Sequence, residues 1–424
     1  VNGPQPRPTV ELVARPGHDA LLDLPWHRPL ADWDDDRLVD IVRGVSRHTV
    51  RFVDVGGHVY AVKETAERAA LAEYDLLRAL EERHLPVVEP VGVARHRTAD
   101  DAGPLDAALV TRHLSFSLPY RYLFAGRSVA GLRHQLTDAL ALLLVKLHLE
   151  GFVWGDCSLS NTLFRRDAGA LTAYLVDAET GTLHPGRASD GQRAYDLDQA
   201  AENIGGELMD LQARDRRATD IDPAALGEDL RQRYGRLWEE LTRAEVVPAG
   251  ERHLIAQRVR RLEELGFTVA ELVLRPEGDG RQVRVVPRVV EAGHDERVLH
   301  DLTGIAADAR QARRLLADLA EHRALWGPEG GRELPRALAA FRWLTEVYEP
   351  TLAAVPEELR DRLPGPELYH QLLEHRWYES ERQGRDIGPD AALASFIEAV
   401  LRRAAPEAVL PVDPRATPSG DPGS

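Results

Sequence analysis

The chain has 424 residues, 43% hydrophobic and 29% charged, which suits a globular protein of roughly two to four domains. Its 53 basic residues against 69 acidic ones leave a net charge of −16. General nucleic-acid binding, which depends on Lys and Arg neutralising phosphates, is therefore not expected. One cysteine, Cys157, excludes an intramolecular disulfide and a thiolate zinc cluster, and fits a reducing, cytoplasmic compartment.

Residues 1–36 are rich in proline and are expected to be irregular, without a targeting segment. Two β-rich runs then flank Gly56-Gly57 and predict a hairpin whose second strand ends at Lys63. A helix is expected over about residues 66–83, with Glu73 on the face shared by Leu77 and Leu80. Pro86 and Pro90 interrupt the chain before a strand at 90–94, and a polar loop leads to a short apolar strand at 107–111. A long helix follows at about 133–149. Lys146, His148 and Glu150 interrupt the apolar run around its end, so it is expected to be buried; a membrane span takes about 20 mostly apolar residues.

Next come a loop at 151–161, a hairpin turning at 165–169 with its second strand at 171–176, and a helix at about 192–211. From about residue 215 to 405 helices are expected to dominate, with one β-like segment at 281–290. Residues 406–424 are expected to be a disordered tail.

Three places carry candidate chemistry. Alternation along the hairpin strand puts Val59, Ala61 and Lys63 on one face, and the small Ala61 leaves room for a flat ring beside the ammonium. Lysine occurs only at Lys63 and Lys146 among the 53 basic residues. A chain that otherwise uses arginine has kept a compact point charge at Lys63, where Glu73 can position it. Lys146 is expected to snorkel or to pair structurally. In the loop, Asp156 precedes Asn161 by five residues, and the apolar strand after it ends on Asp177, with Glu179 two residues on. Such hard oxygen donors suit Mg²⁺, and the first acid can orient an attacking hydroxyl. Cys157 beside it is expected to be a small buried hydrophobe.

These motifs resemble the protein-kinase fold, in its lipopolysaccharide (Kdo) kinase and small-molecule phosphotransferase branches. Tyr60-Ala61-Val62-Lys63 is similar to the kinase V-A-I-K strand. The resemblance implies that Lys63 pairs ATP phosphates, with Glu73 as its helix partner. It implies Asp156 as catalytic base, Asn161 and Asp177 as metal ligands, and Glu179 as an additional one. The segment 110–114, with Thr111 and His113, lies where such folds receive adenine. Asp196 resembles the buried Asp that supports the catalytic loop.

The chain departs from the family pattern in lacking G-x-G-x-x-G; only Arg43-Gly44-Val45-Ser46-Arg47-His48 precedes the lysine strand. Trp154-Gly155-Asp156 stands in place of H-R-D, and Asp177-Ala178-Glu179 in place of D-F-G.

The C-terminal half, through Leu265-Gly266-Phe267, the 311–316 run and Arg376-Trp377-Tyr378, resembles a bacterial domain of unknown function. Around the 311–316 run, expected to be helical, Arg310, Arg313 and Arg314 form a basic cluster that can hold an anion or pair internally.

The expected architecture is α+β: an N-lobe at 37–114, a C-lobe at 115–214, and a mostly helical domain at 215–405. The expected activity is ATP- and Mg²⁺-dependent phosphoryl transfer to a hydroxyl acceptor such as a sugar, a lipid-linked sugar or another small molecule. The alternative is a nucleotide-binding pseudokinase or scaffold whose C-terminal domain binds a protein partner.

Overall fold

The computed structural model describes residues 10–41, 48–100, 103–114, 117, 130–168, 170–214, 222–243, 245–248, 252–264, 269–277, 282–289, 294–326 and 334–403. The run 43–47, Leu265-Gly266-Phe267 and the tail 406–424 lie outside these residues.

The first lobe is built on one antiparallel sheet. Its strands are β1 (Glu11–Ala14), β2 (Val50–Val55), β3 (His58–Thr65), β4 (Pro90–Arg95) and β5 (Ala107–Arg112), in the order β1-β4-β5-β3-β2. Helix α1 (Glu67–Glu81) lies on one face, where Ala70, Tyr74 and Leu77 pack with Val93 and Leu109.

The opposite face is covered by the segment expected to be irregular. Strand β1 pairs with β4, and Leu21, Trp26, Leu30 and Trp33 bury against Val53, Tyr60, Val62 and Val110. Prolines prevented a periodic pattern in this segment. Its two tryptophans still bury a large apolar area. Arg97, 1% exposed, ties it down by donating to the carbonyls of Trp26 (3.0 Å) and Arg28 (2.5 Å) and to Glu64 (2.8 Å).

The second lobe centres on α2 (Ala130–Leu149), which is buried through Leu136, Leu140, Leu143, Leu144 and Leu147. The short strand β6 (Phe152–Val153), the hairpin β7 (Thr162–Asp167) and β8 (Ala170–Leu175), the short β9 (Thr182–Leu183) and α3 (Asp190–Arg214) follow. Helix α4 (Pro223–Thr242) packs on both α2 and α3. Its Leu226, Leu230, Tyr234 and Leu241 belong to the same core, as does Leu262 of α5 (Arg252–Glu264). The hydrophobic core of the lobe thus runs past the break expected near residue 215.

A three-stranded antiparallel sheet comes next: β10 (Glu245–Pro248), β11 (Val269–Glu277) and β12 (Gln282–Val289), in the order β10-β12-β11. Only β12 had been expected. The remainder is helical, chiefly α6 (His294–Thr303), α7 (Ala309–Trp326), α8 (Arg336–Trp343) and, further on, the helices Gly365–Gln383 and Pro389–Ala399. At its centre Tyr348 stacks on Trp343 and Tyr369 meets Trp343 edge-on, and both the Trp343 indole N–H and the Tyr369 hydroxyl donate to Asp318 (2.8 and 2.9 Å). Among the described residues no helix is long and apolar enough to cross a membrane.

Candidate active site

The cleft between the lobes gathers most of the residues singled out in the sequence. Lys63 leaves β3 on the face that also carries Ala61. Its ammonium lies 2.7 Å from Glu73 of α1, 2.9 Å from Asp177 and 3.1 Å from Glu179. Glu73 is 2% exposed and also accepts the Ala178 N–H at 3.3 Å, so one carboxylate ties α1 to β3 and to the 177–179 loop.

Burial opposes the charge on Lys63, but Glu73 and Asp177 outweigh it, and its pKa rises above the ordinary lysine value. Burial, with the negative charge of Asp177 behind it, pushes Glu73 up to about 7. Three carboxylates around one ammonium leave an excess of negative charge. Their oxygens lie within 4.8 Å of one another, a donor set that suits a hard divalent cation. His48 approaches the outer side of this group, 3.0 Å from Glu179.

The loop carrying Asp156 is held from below. Gly155 has a φ of +74°, a conformation that favours glycine, and this aims its N–H at Asp196 (2.6 Å). The same carboxylate accepts the Trp154 N–H (2.9 Å) and contacts His148 Nε2 (2.9 Å), while His148 Nδ1 meets the Tyr234 hydroxyl (2.8 Å). Asp196 is fully buried, and these partners satisfy its charge. The expectation that Asp196 supports the loop therefore holds as geometry. Trp154 links this loop to the next one by donating to the Asp177 carbonyl at 2.7 Å.

Asp156 accepts from Asn161 Nδ2 at 3.1 Å and from Asn203 Nδ2 at 3.0 Å, one amide on each carboxylate oxygen. Asn161 is thus placed beside Asp156, and its carbonyl accepts the Val176 N–H (3.0 Å), bringing its backbone next to the strand end that carries Asp177.

Sequence reasoning missed Asn203 and Glu207, both on α3. Glu207 accepts the N–H groups of Leu159 (2.7 Å) and Ser160 (3.1 Å), closing the loop. Four residues separate them, one turn of a helix, so the spacing alone could have paired them on one face. Cys157 is buried, and burial raises its thiol well above the ordinary range, which makes it the inert hydrophobe expected.

The upper wall of the cleft is apolar. Phe52 and Thr111 both pair with Ala61 across the sheet, and the His113 ring meets Phe52 edge-on at 5.4 Å. The His113 N–H is already given to the Val59 carbonyl (2.8 Å). Its ring Nε2 is buried and has no hydrogen-bond partner among the described residues, and burial lowers the imidazole to about 4. Strand alternation puts Phe52, Ala61, Thr111 and His113 on one face of the sheet, and the neutral ring nitrogen beside them keeps its hydrogen-bonding capacity unused among the described residues.

Lys146 does not belong to this site. It is partly buried on the far side of α2, near Glu296, Asp167 and Asp308, and burial lowers its pKa. Of the arginine cluster, Arg313 pairs internally with Asp295 at 3.1 Å.

Residues 57–205 match the lipopolysaccharide kinase (Kdo/WaaP) family, and residues 236–401 match a domain of unknown function, DUF4032. No curated protein matches the chain. Among solved structures 397 chains match. One of them, described as WaaP in complex with acyl carrier protein, is 19% identical; the match covers 60% of this chain and 99% of that one, with a TM-score of 0.36. The chain therefore joins a two-lobed kinase-like unit, similar to the Kdo/WaaP lipopolysaccharide kinases, to a mostly helical segment that matches DUF4032.

Proposed function

We propose that the chain is a kinase that uses ATP and Mg²⁺ to phosphorylate a hydroxyl acceptor. The observation that carries this reading is the meeting of Lys63, Glu73, Asp177 and Glu179, with the Asp156 loop tied to the strand end that carries Asp177 through Trp154 and Asn161. Lys63 holds the nucleotide phosphates and Glu73 holds Lys63. Asp177, Glu179 and Asn161 bind the metal, which neutralises charge on the phosphates when present. Asp156, oriented by Asn161 and Asn203, accepts or orients the acceptor hydroxyl proton. Thr111 and His113 line the base end. In phosphoryl transfer the protein contributes mainly position and charge neutralisation, and this donor set supplies both.

The name of the matching family makes sugar hydroxyls the first acceptors to test. The segment that matches DUF4032 brings no activity with it, so a further protein partner there belongs to the same proposal.

A second reading has one observation in its favour. Lys63 is gripped by Asp177 and Glu179 as well as by Glu73, and this closes the place where the metal would sit. A nucleotide-binding pseudokinase or scaffold would tolerate that arrangement. Incubation with γ-labelled and α-labelled ATP, Mg²⁺ and cell extract separates the readings. Transfer of γ-label that disappears in Asp156→Asn is the expected result. Transfer of α-label indicates a nucleotidyl transferase, and no transfer with retained ATP binding indicates the pseudokinase.

A further inference from the structure

The chain is strongly acidic, yet one cavity is rimmed by arginines. About 660 Å³ opens between α2, β8, α4, α5 and the start of α7, and this volume lies within the range of small-molecule sites, about 300–1,000 Å³. Among the described residues its lining presents four arginines against two carboxylates. Two of the four are already engaged: Arg233 with Asp138 and Asp229, and Arg261 with Glu240 at 3.0 Å. Arg236 and Arg310 differ. Neither guanidinium has a hydrogen bond or ion pair among the described residues, and both line the cavity. Arg310 belongs to the cluster that the sequence singled out and that the kinase reading leaves unused.

The floor is aliphatic, made by Ala139, Leu142, Leu171 and Leu237, and among the described residues the lining contains no aromatic side chain. A nucleotide base would find no ring to stack on, whereas a saturated body would be desolvated there. Guanidinium groups favour carboxylate and phosphate, which they meet bidentately.

We propose that this cavity binds a small amphipathic anion, with a phosphate or carboxylate head on Arg236 and Arg310 and an aliphatic body over Leu142, Leu171 and Leu237. The site is separate from the cleft and does not depend on the kinase reading. A ligand there would bridge α4 and α7, and so join the kinase-like lobe to the helical segment.

Calorimetry on the full chain tests this with four probes: dodecyl phosphate and dodecanoate below their micelle concentrations, inorganic phosphate, and dodecyltrimethylammonium. At least one amphipathic anion should bind with 1:1 stoichiometry, at least tenfold tighter than inorganic phosphate and the cation. The tighter of the two anions identifies the head group. Arg236→Gln with Arg310→Gln should weaken it at least tenfold while the melting temperature stays near wild type. Arg236 is exposed, so Arg236→Gln alone provides the test if the double variant fails to fold. Equal binding of the cation, equal binding of inorganic phosphate, no binding of either anion, or unchanged binding in the variants would each overturn the proposal.

Discussion

Lys63 and Lys146 show how little a residue type says without its surroundings. Both are lysines in an arginine-rich chain, yet one faces three carboxylates in the cleft and the other lies on the far side of α2. Lys63→Arg should reduce phosphoryl transfer by about 100-fold, ~2.7 kcal/mol of transition-state stabilisation, because a forked guanidinium does not fit a slot shaped for an ammonium. The fold should be retained, since the charge facing Glu73 is kept, with a melting temperature only modestly lowered by the longer side chain at a site 12% exposed. Full activity in this variant would remove Lys63 from the phosphate-binding role. Asp156→Asn should abolish turnover and leave nucleotide affinity within a few-fold, whereas Asp177→Asn should weaken Mg-nucleotide binding itself; equal losses of binding, measured by calorimetry, would contradict the assignment. Lys63, Asp156, Asn161 and Asp177 were legible because each sits in a short local motif with fixed spacing, and Glu73 because it shares a helix face with Leu77 and Leu80. Asn203 was not, because sharing a helix face with Glu207 is too common a pattern to mark a site, and Asn203 reaches Asp156 only through the packing of α3.

At the scale of elements, the hairpin β7–β8 connects the two halves of the chain. Its base carries Asn161 and Asp177, and its tip is held by the helical segment. Asp167 accepts the N–H groups of Arg310 (3.2 Å) and Gln311 (2.9 Å) at the start of α7. Arg165 and the Tyr174 hydroxyl both bond Asp308, and the Ala168 N–H reaches Glu367 at 2.9 Å. Asp308→Ala would strand Arg165 in a largely buried position. Breaking such a pair by removing one partner costs about 3–5 kcal/mol, which urea unfolding would register. The same cluster predicts a pH response. Burial, with Asp308 beside it, raises Asp167 to about 6, so the folded state holds a proton that the unfolded chain releases near the ordinary value of 3.8. That contribution to stability is complete below about pH 4 and is lost as the pH rises through about 6. Lys146, Glu296, Arg310, Arg165 and Tyr174 share the neighbourhood and shape the curve. Asp167→Asn should flatten the pH dependence of the urea midpoint between pH 4 and 7 relative to wild type; an unchanged slope would place the titration elsewhere.

On the scale of the whole molecule, the kinase-like lobe does not end where the sequence pattern changes. The amphipathic period of α4 announces a helix with one buried face, but no periodicity says which neighbour that face will meet. For the same reason the α+β class, the β2–β3 hairpin and the positions of β4 and β5 were readable, while the order of the strands in the sheet, the addition of β1 and the membership of α4 in the lobe's core were not. The partner of α4 decides how the chain can be divided. Leu226, Leu230, Tyr234, Leu241 and Leu262 are each at most 6% exposed in the core that carries the catalytic-type loop. Full burial of such a side chain contributes about 1.5–3 kcal/mol. Five of them together match the whole stability of a typical domain, about 5–15 kcal/mol. Tyr234 also reaches the buried His148–Asp196 pair that holds Trp154 and Gly155. A chain ended at Arg214 should therefore be insoluble or lack a cooperative thermal transition. One ended at Glu264 keeps that core and should fold, with a lower melting temperature because Arg165 and Asp167 lose Asp308 and α7. Circular dichroism melts of the two truncated chains beside the full one check this. A cooperative melt of the shorter chain at the full-length temperature would mean that α4 contributes nothing to the lobe and that the break lies near residue 215 after all.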